Sequence, residues 1–135
     1  MALSQHCPNG YSLLAGIGAD KCYRFRGNPT TFPAAEDICS EQGTLVSIGN
    51  AFVNFALQDF IASIVNNGTN FWIGLQNEGS GWAWLDGAPN NYVNWGRAQP
   101  GIDTCVSMDS MTAKWFTTEC STALPFLCEA ESTAC

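Results

Sequence analysis

The stretch from residue 71 to residue 101 decides the fold of this chain. It reads FWIGL at 71–75, WAWLDG at 82–87, NW at 94–95 and QPG at 99–101. Short apolar runs alternate here with Gly, Asn and Pro, and this alternation is typical of strands joined by loops. Residues 86–103 have no regular pattern. An irregular segment of that length in a compact domain predicts a functional loop.

Upstream of this stretch, the sequence predicts two helices. Apolar residues at helical spacing run from Phe32 to Cys39, with Thr31 as the N-cap and Gly43 as the stop. The second helix is predicted to begin after Asn50, and one of its faces carries Val53, Ala56, Leu57, Phe60, Ile61 and Ile64. A short β-rich link, 44–48, joins the two helices. Strands are predicted at Gly10–Leu14, Lys21–Arg26, Phe71–Leu75, Trp82–Leu85, Thr104–Met108, Lys114–Thr118 and Pro125–Glu129.

Length and cysteine content indicate one small domain from an oxidising compartment. The chain has 135 residues, 46% of them hydrophobic, which is enough for one core and predicts a single domain over 1–135. Without a histidine cluster to suggest zinc, the cysteines predict disulfides and a secreted, extracellular protein. The seven cysteines are Cys7, Cys22, Cys39, Cys105, Cys120, Cys128 and Cys135.

Charge and composition exclude several classes of function. The net charge of −7 is the wrong sign for binding nucleic acid or an anionic membrane. No apolar run is long enough for membrane insertion. Catalysis of the Ser-His-Asp kind would depend on His6, the only histidine, so we expect no enzyme. Residues 1–4 lack the pattern of a signal peptide, and we expect that one was removed. Asn67 begins an Asn-Gly-Thr acceptor sequence, which predicts a glycoprotein.

The WIGL sequence at 72–75 and the paired Trp82 and Trp84, set among spaced cysteines, resemble the C-type lectin-like domain. The resemblance extends from Cys7 to Cys128. It implies an α+β fold in which two helices flank small antiparallel sheets below a long irregular loop, and it implies that the tryptophans are mainly framework residues. It also implies disulfides that the spacing alone cannot choose among 15 pairings. These join Cys7 to Cys22, Cys39 to Cys128, and Cys105 to Cys120. Cys135 is left over: we expect that its partner was lost by truncation or that it is a free terminal thiol, and the alternative is the bridge of a covalent dimer.

The same resemblance implies a calcium site, which this sequence matches only in part. In lectins of this family, Glu-Pro-Asn or Gln-Pro-Asp supplies two oxygen ligands, an acid before the next cysteine supplies another, and a Trp-Asn-Asp sequence completes the site. Gln99-Pro100 matches, Gly101 does not, and Asp103 stands where the acid is expected. The tripeptide at 115–117 reads WFT, so Thr117 offers only a hydroxyl. We therefore expect calcium affinity at or beyond the millimolar end of the known range. The alternative for Gln99-Pro100 is a turn that only shapes the loop.

These features predict an extracellular ligand-recognition module. Carbohydrate is the expected ligand, bound with weak or absent calcium dependence. A calcium-independent protein-interaction module of the same fold is the alternative. If the ligand is a sugar, the resemblance implies that it lies on the loop and on the strand at 114–118. The residues expected to bind it are Asn90, Asn91, Asn94, Gln99, Asp103 and Thr117.

Overall fold

The computed structural model of the chain describes residues 5–14, 20–65 and 68–134. Two helices are each followed by strands. In chain order the elements are β1 (Gln5–His6), β2 (Lys21–Thr30), α1 (Phe32–Cys39), β3 (Thr44–Leu45), α2 (Ala51–Ala62), β4 (Asn70–Asn77), β5 (Trp82–Trp84), β6 (Cys105–Asp109), β7 (Trp115–Thr118), β8 (Leu124–Glu131) and β9 (Thr133–Ala134). The predicted α+β class is confirmed.

One seven-stranded sheet organises the described part of the chain. Its main path is β2-β8-β4-β6-β7, with β3 paired to β8 and β5 paired to β4. All of these pairs are antiparallel except β4 with β8, which run parallel where Trp72 lies opposite Phe126. The sheet is therefore mixed, whereas small antiparallel sheets were expected. A second pairing, of β1 with β9, joins residues 5–6 to residues 133–134.

The helices begin where the sequence predicts. The Asn50 side chain accepts a hydrogen bond from the Val53 amide at 2.9 Å, as an N-cap should. Thr31 occupies the N-cap position of α1, but its side chain makes no capping bond. The second helix ends at Ala62, so Ile64 lies beyond it and is largely exposed.

Two strand predictions differ from the structure. The strand predicted at 10–14 is reduced to a single bridge between Ser12 and Tyr23. The strand predicted at 21–26 continues to Thr30, past an irregularity in its pairing with β8. The sequence also gives no signal for β1 or β9, because two residues are too few to establish an alternating pattern.

Three disulfides join the cysteines as the resemblance implied. Cys7 pairs with Cys22, Cys39 with Cys128, and Cys105 with Cys120. The second bridge spans 89 positions and links the end of α1 to β8. Cys135 and the acceptor Asn67 lie outside the described residues.

The core has two parts, which lie on opposite faces of the sheet. On one face Phe32 of α1 packs edge-on against Trp72, with ring centroids 5.4 Å apart. On the other face Leu57 and Ile61 of α2 join a larger cluster around Trp115. Gly74 of the WIGL motif packs against the link before α2. A Cβ at this position would come within 2.7 Å of the Leu45 carbonyl oxygen. The motif therefore needs glycine where the link before α2 crosses β4.

A buried carboxylate ties β2, β8 and the link before α2 together. Glu129 is almost fully buried, and its Oε2 lies 2.8 Å from the Lys21 Nζ. Its Oε1 accepts a hydrogen bond from the Ser47 amide at 2.6 Å. Burial raises the pKa of Glu129, and the contacts with Lys21 and Ser47 oppose that rise. These two partners offset part of the cost of burying the charge.

A buried asparagine connects α2 to β7. The Asn54 Oδ1 accepts a hydrogen bond from the Trp115 Nε1 at 2.8 Å, and its Nδ2 donates to the Ala113 carbonyl at 3.2 Å. Both Asn54 and Trp115 are fully buried. The amide therefore satisfies an indole N–H that water does not reach.

We predict that Asn54→Ala lowers the free energy of unfolding by about 1–3 kcal/mol, because it leaves the Trp115 N–H buried without an acceptor. Urea denaturation followed by tryptophan fluorescence measures the change. Asn91→Ala is the matched control, since Asn91 is exposed, and it should stay within about 0.5 kcal/mol of the parent. Equal stability of the two variants would contradict this role of Asn54.

Candidate functional site

The long loop, residues 86–103, is attached to β7 through main-chain hydrogen bonds. The Trp115 amide donates to the Asn94 carbonyl at 2.9 Å, and the Gly96 amide donates to the Trp115 carbonyl at 2.8 Å. Trp95 and Trp115 thus form a parallel bridge. The middle of the loop behaves as a short extra strand at the edge of the sheet.

Aromatic packing also holds the long loop in place. The ring of Trp115 makes edge contacts with Trp84, Tyr92 and Trp95, at centroid distances of 5.5, 5.8 and 5.9 Å. Trp82 also packs on Trp95, at 5.1 Å. Burial raises the pKa of Tyr92, as expected for a phenol held against this cluster. These tryptophans pack against one another, as the framework interpretation expects.

Two of the asparagines predicted as sugar ligands make hydrogen bonds within the protein. The Asn94 Nδ2 donates to the Ala113 carbonyl at 2.7 Å, and its Oδ1 accepts from the Lys114 Nζ at 3.3 Å. The Asn90 Nδ2 donates to the Trp82 carbonyl at 3.1 Å. Both side chains are therefore engaged in shaping the loop.

Gln99, Gly101 and Thr117 come together at the end of the loop, in a group we call the threonine clamp. The Gln99 Oε1 accepts hydrogen bonds from the Thr117 amide and hydroxyl, both at 2.9 Å. The Thr117 Oγ1 in turn accepts from the Gly101 amide at 2.9 Å. The peptide bond between Gln99 and Pro100 is cis. Of the six predicted ligand residues, the structure joins Gln99 to Thr117 directly.

Thr117 and Phe116, which depart from the family calcium motif, each pack against a glycine. A Cβ at Gly101 would lie 2.9 Å from the Thr117 Oγ1, so a larger residue at 101 conflicts with the clamp. A Cβ at Gly96 would lie 2.6 Å from the Phe116 ring, which packs where that side chain would be. The chain thus combines Gly101 with Thr117, and Gly96 with Phe116.

The residues present at the clamp do not fit calcium. Calcium takes six to eight oxygen ligands, usually with several carboxylates. The Gln99 Oε1 already accepts two hydrogen bonds, and the Thr117 hydroxyl both donates and accepts. Asp103 is then the only carboxylate among the predicted ligands. Throughout the described ranges, no three His, Cys, Asp or Glu residues group as a metal site would require.

The outer surface of the loop carries the side chains that have no recorded partner. Asn91 and Arg97 are exposed, and Asp103 is half-buried. Ile102 is 98% exposed, which is unusual for an isoleucine. Sequence reasoning named Asn91 and Asp103 but missed Arg97 and Ile102. The signal for these two was available, because Arg97 is the only basic residue of the loop and Ile102 lies between Gly101 and Asp103 in a polar segment.

The family model of the lectin C-type domain matches residues 28–130 of the chain. This chain belongs to the C-type lectin domain family. It is 32% identical to regenerating islet-derived protein 3-beta of Rattus norvegicus, over 91% of the chain and 76% of that relative. It is 31% identical to bone marrow proteoglycan of Mus musculus over 87% of the chain, but it spans only 56% of that relative's length. The predicted family is confirmed.

Solved structures agree with the family. Human lithostathine superposes with a TM-score of 0.82 at 26% identity, over 93% of this chain and 99% of that one. A calcium-independent type II antifreeze protein gives a TM-score of 0.79 at 26% identity, over 96% and 98%. Within the described residues, no helix is long and apolar enough to cross a membrane.

We predict that calcium at 10 mM leaves the melting temperature of this domain unchanged, because stabilisation requires affinity for the folded state. The combined variant Gly101→Asp, Phe116→Asn, Thr117→Asp should respond, because it restores two carboxylates and removes the hydroxyl that conflicts with a side chain at 101. Calcium at 100 times its dissociation constant would add about 2.7 kcal/mol. Differential scanning calorimetry with calcium and with chelator measures both.

Gly101→Asp alone is the control, and it should lower the melting temperature without creating a calcium response. A parent domain that gains several degrees with calcium would show that the clamp opens to admit the ion.

Proposed function

We propose that this protein is an extracellular ligand-recognition module that binds carbohydrate without calcium. The observation that carries this proposal is the threonine clamp, in which Thr117 holds Gln99 and Gly101 through hydrogen bonds of 2.9 Å. In the calcium-binding members of the family, the corresponding residues are metal ligands. Here hydrogen bonds between the loop and β7 replace that metal link.

The loop surface supports a sugar as the ligand. Asn91, Arg97 and Asp103 offer donors and acceptors for hydroxyl groups, and the Gln99 Nε2 has no recorded acceptor. Ile102 provides an apolar surface for the C–H face of a sugar ring. A neutral hydrogen bond contributes about 1 kcal/mol and one to a charged group about 1.5–3 kcal/mol, so two or three such bonds give a dissociation constant near millimolar for one site.

Relatives support both parts of the proposal, carbohydrate binding and calcium independence. A structure 27% identical to this chain, with a TM-score of 0.78, is the carbohydrate-recognition domain of cow CD23 in the presence of an oligosaccharide. The type II antifreeze protein described above is itself calcium-independent. We extend carbohydrate binding and calcium independence from these proteins to this chain.

Extracellular placement, a non-enzymatic role and assembly state belong to the same proposal. The three disulfides favour an oxidising compartment. We assign no catalytic role, because the loop surface presents no nucleophile paired with a base. Nucleic acid remains an unsuitable partner at a net charge of −7. A covalent dimer through Cys135 remains a proposal that non-reducing electrophoresis tests.

We predict that a glycan array gives the same binding pattern in calcium and in chelator. Asp103→Ala and Asn91→Ala should each weaken binding about fivefold or more while changing the melting temperature little, because neither side chain has a recorded partner. Asp37→Ala, an equal charge change on the exposed side of α1, is the matched control and should bind as the parent does. Binding that disappears in chelator, or survives in both loop variants, would contradict the proposal.

Protein binding is the second candidate, and one observation favours it. Phe52 and Phe55 on α2 are 72% and 50% exposed, and with Ala51, Ala56, Gln58 and Asp59 they line an open, mainly apolar surface. Exposed apolar patches often mark protein contacts. An array with no bound glycan, together with an extracellular protein ligand whose binding is lost in Phe52→Ser, would favour this function over the first.

A further inference from the structure

Two arginines on β2 form no salt bridge with the acidic groups of the described residues. Arg24 and Arg26 are two positions apart on one strand, so their side chains leave the same face of the sheet. They are among only five basic residues in a chain with twelve acidic ones. Even so, the salt bridges recorded within residues 5–14, 20–65 and 68–134 involve Lys21 and neither arginine.

The guanidinium of Arg26 lacks a partner at a buried atom. Its Nε is shielded from solvent and has no hydrogen-bond acceptor among the described residues. A buried, unpaired N–H of a charged group is costly, and an anion bound beside the same guanidinium would offset that cost through its charge. Arg24 makes only a long hydrogen bond, 3.4 Å from Nη1 to the Asn9 carbonyl. Both guanidiniums therefore keep donors free.

The two arginines line a cavity of about 330 Å³. The size suits a small ligand or one residue of a larger one. Its floor includes Phe126 and Ile38, and its rim includes Asn28 and Thr30. The cavity lies on the α1 face of the sheet and shares no residue with the long loop.

The positive charges of Arg24 and Arg26 act on the neighbouring Tyr11. Burial raises the pKa of Tyr11, while Arg26 and Arg24 act to lower it and Glu41 acts to raise it. Glu41 forms no ion pair with either arginine within the described ranges.

We propose that Arg24 and Arg26 form a binding site for an oxyanion, such as a sulfate, phosphate or carboxylate group. A guanidinium presents donors in a planar fork that matches two oxygens of such a group. The outer N–H groups of Arg26 and Arg24 donate to its oxygens, while Ile38 and Phe126 contact the body that carries the anion. This site is separate from the proposed sugar surface, and its test does not depend on that function.

Titration with sodium sulfate tests the site, with sodium chloride at equal ionic strength as the reference. The readout is the Arg26 Nε–Hε cross-peak in the parent and the Arg24 Nε–Hε cross-peak in Arg26→Lys. We expect a saturable shift with sulfate that chloride does not produce. Arg26→Lys keeps the charge but loses the fork, and it should weaken binding about tenfold. Arg97→Gln, which removes an exposed arginine of the long loop, should leave binding unchanged.

Two further ligands identify the source of the oxyanion. N-acetylglucosamine 6-sulfate that binds more tightly than inorganic sulfate assigns the anion to a glycan, whereas equal affinity assigns it to the free ion. Unsulfated N-acetylglucosamine should not move the Arg26 signal. A sulfate shift that fails to saturate, or one that Arg97→Gln reduces as much as Arg26→Lys does, would overturn the proposal.

Discussion

The buried indole of Trp115 is the contact on which the upper half of this domain depends. Its N–H is satisfied by Asn54 of α2, its ring receives the edges of Tyr92 and Trp95, and its main chain pairs with residues 94 and 96. A single side chain therefore connects a helix, a strand and an irregular loop. These contacts are hydrogen bonds and edge-on ring contacts, and both kinds depend on direction. They therefore fix the path of the loop.

The threonine clamp explains how the far end of the loop remains attached to β7. A metal ion would hold the loop through charge, and its contribution would vary with calcium concentration. The hydrogen bonds that Thr117 makes with Gln99 and Gly101 are weaker individually, but they do not require calcium. Because Gly101 has no Cβ, the hydroxyl can approach the main chain closely. The substitution that removes a ligand from the family motif thereby supplies a different link.

Local patterns predicted most of the scaffold. The Asn50 cap and the strand at 71–75 follow from residues whose local preference agrees with their tertiary environment. The disulfides came from resemblance, since spacing alone left the pairing open. The strand predicted at 10–14 is a single bridge, because tertiary pairing limits how much of an apolar run becomes sheet. The resemblance placed Gln99 and Thr117 at one site, but the hydrogen bonds of the clamp could not be read from the sequence, because they depend on distances that only the fold sets. Arg26 was missed for the same reason, since its lack of a partner is a property of the fold.

Amide hydrogen exchange of the loop tests most directly whether protein contacts have replaced the metal. The Gly96, Gln99 and Gly101 amides donate to Trp115, Gly96 and Thr117, so their protection reports on the attachment of the loop. The account predicts the same protection of these three amides in chelator and in millimolar calcium. Protection that appears only when calcium is added would show that the loop is ordered by the ion, and it would contradict the account.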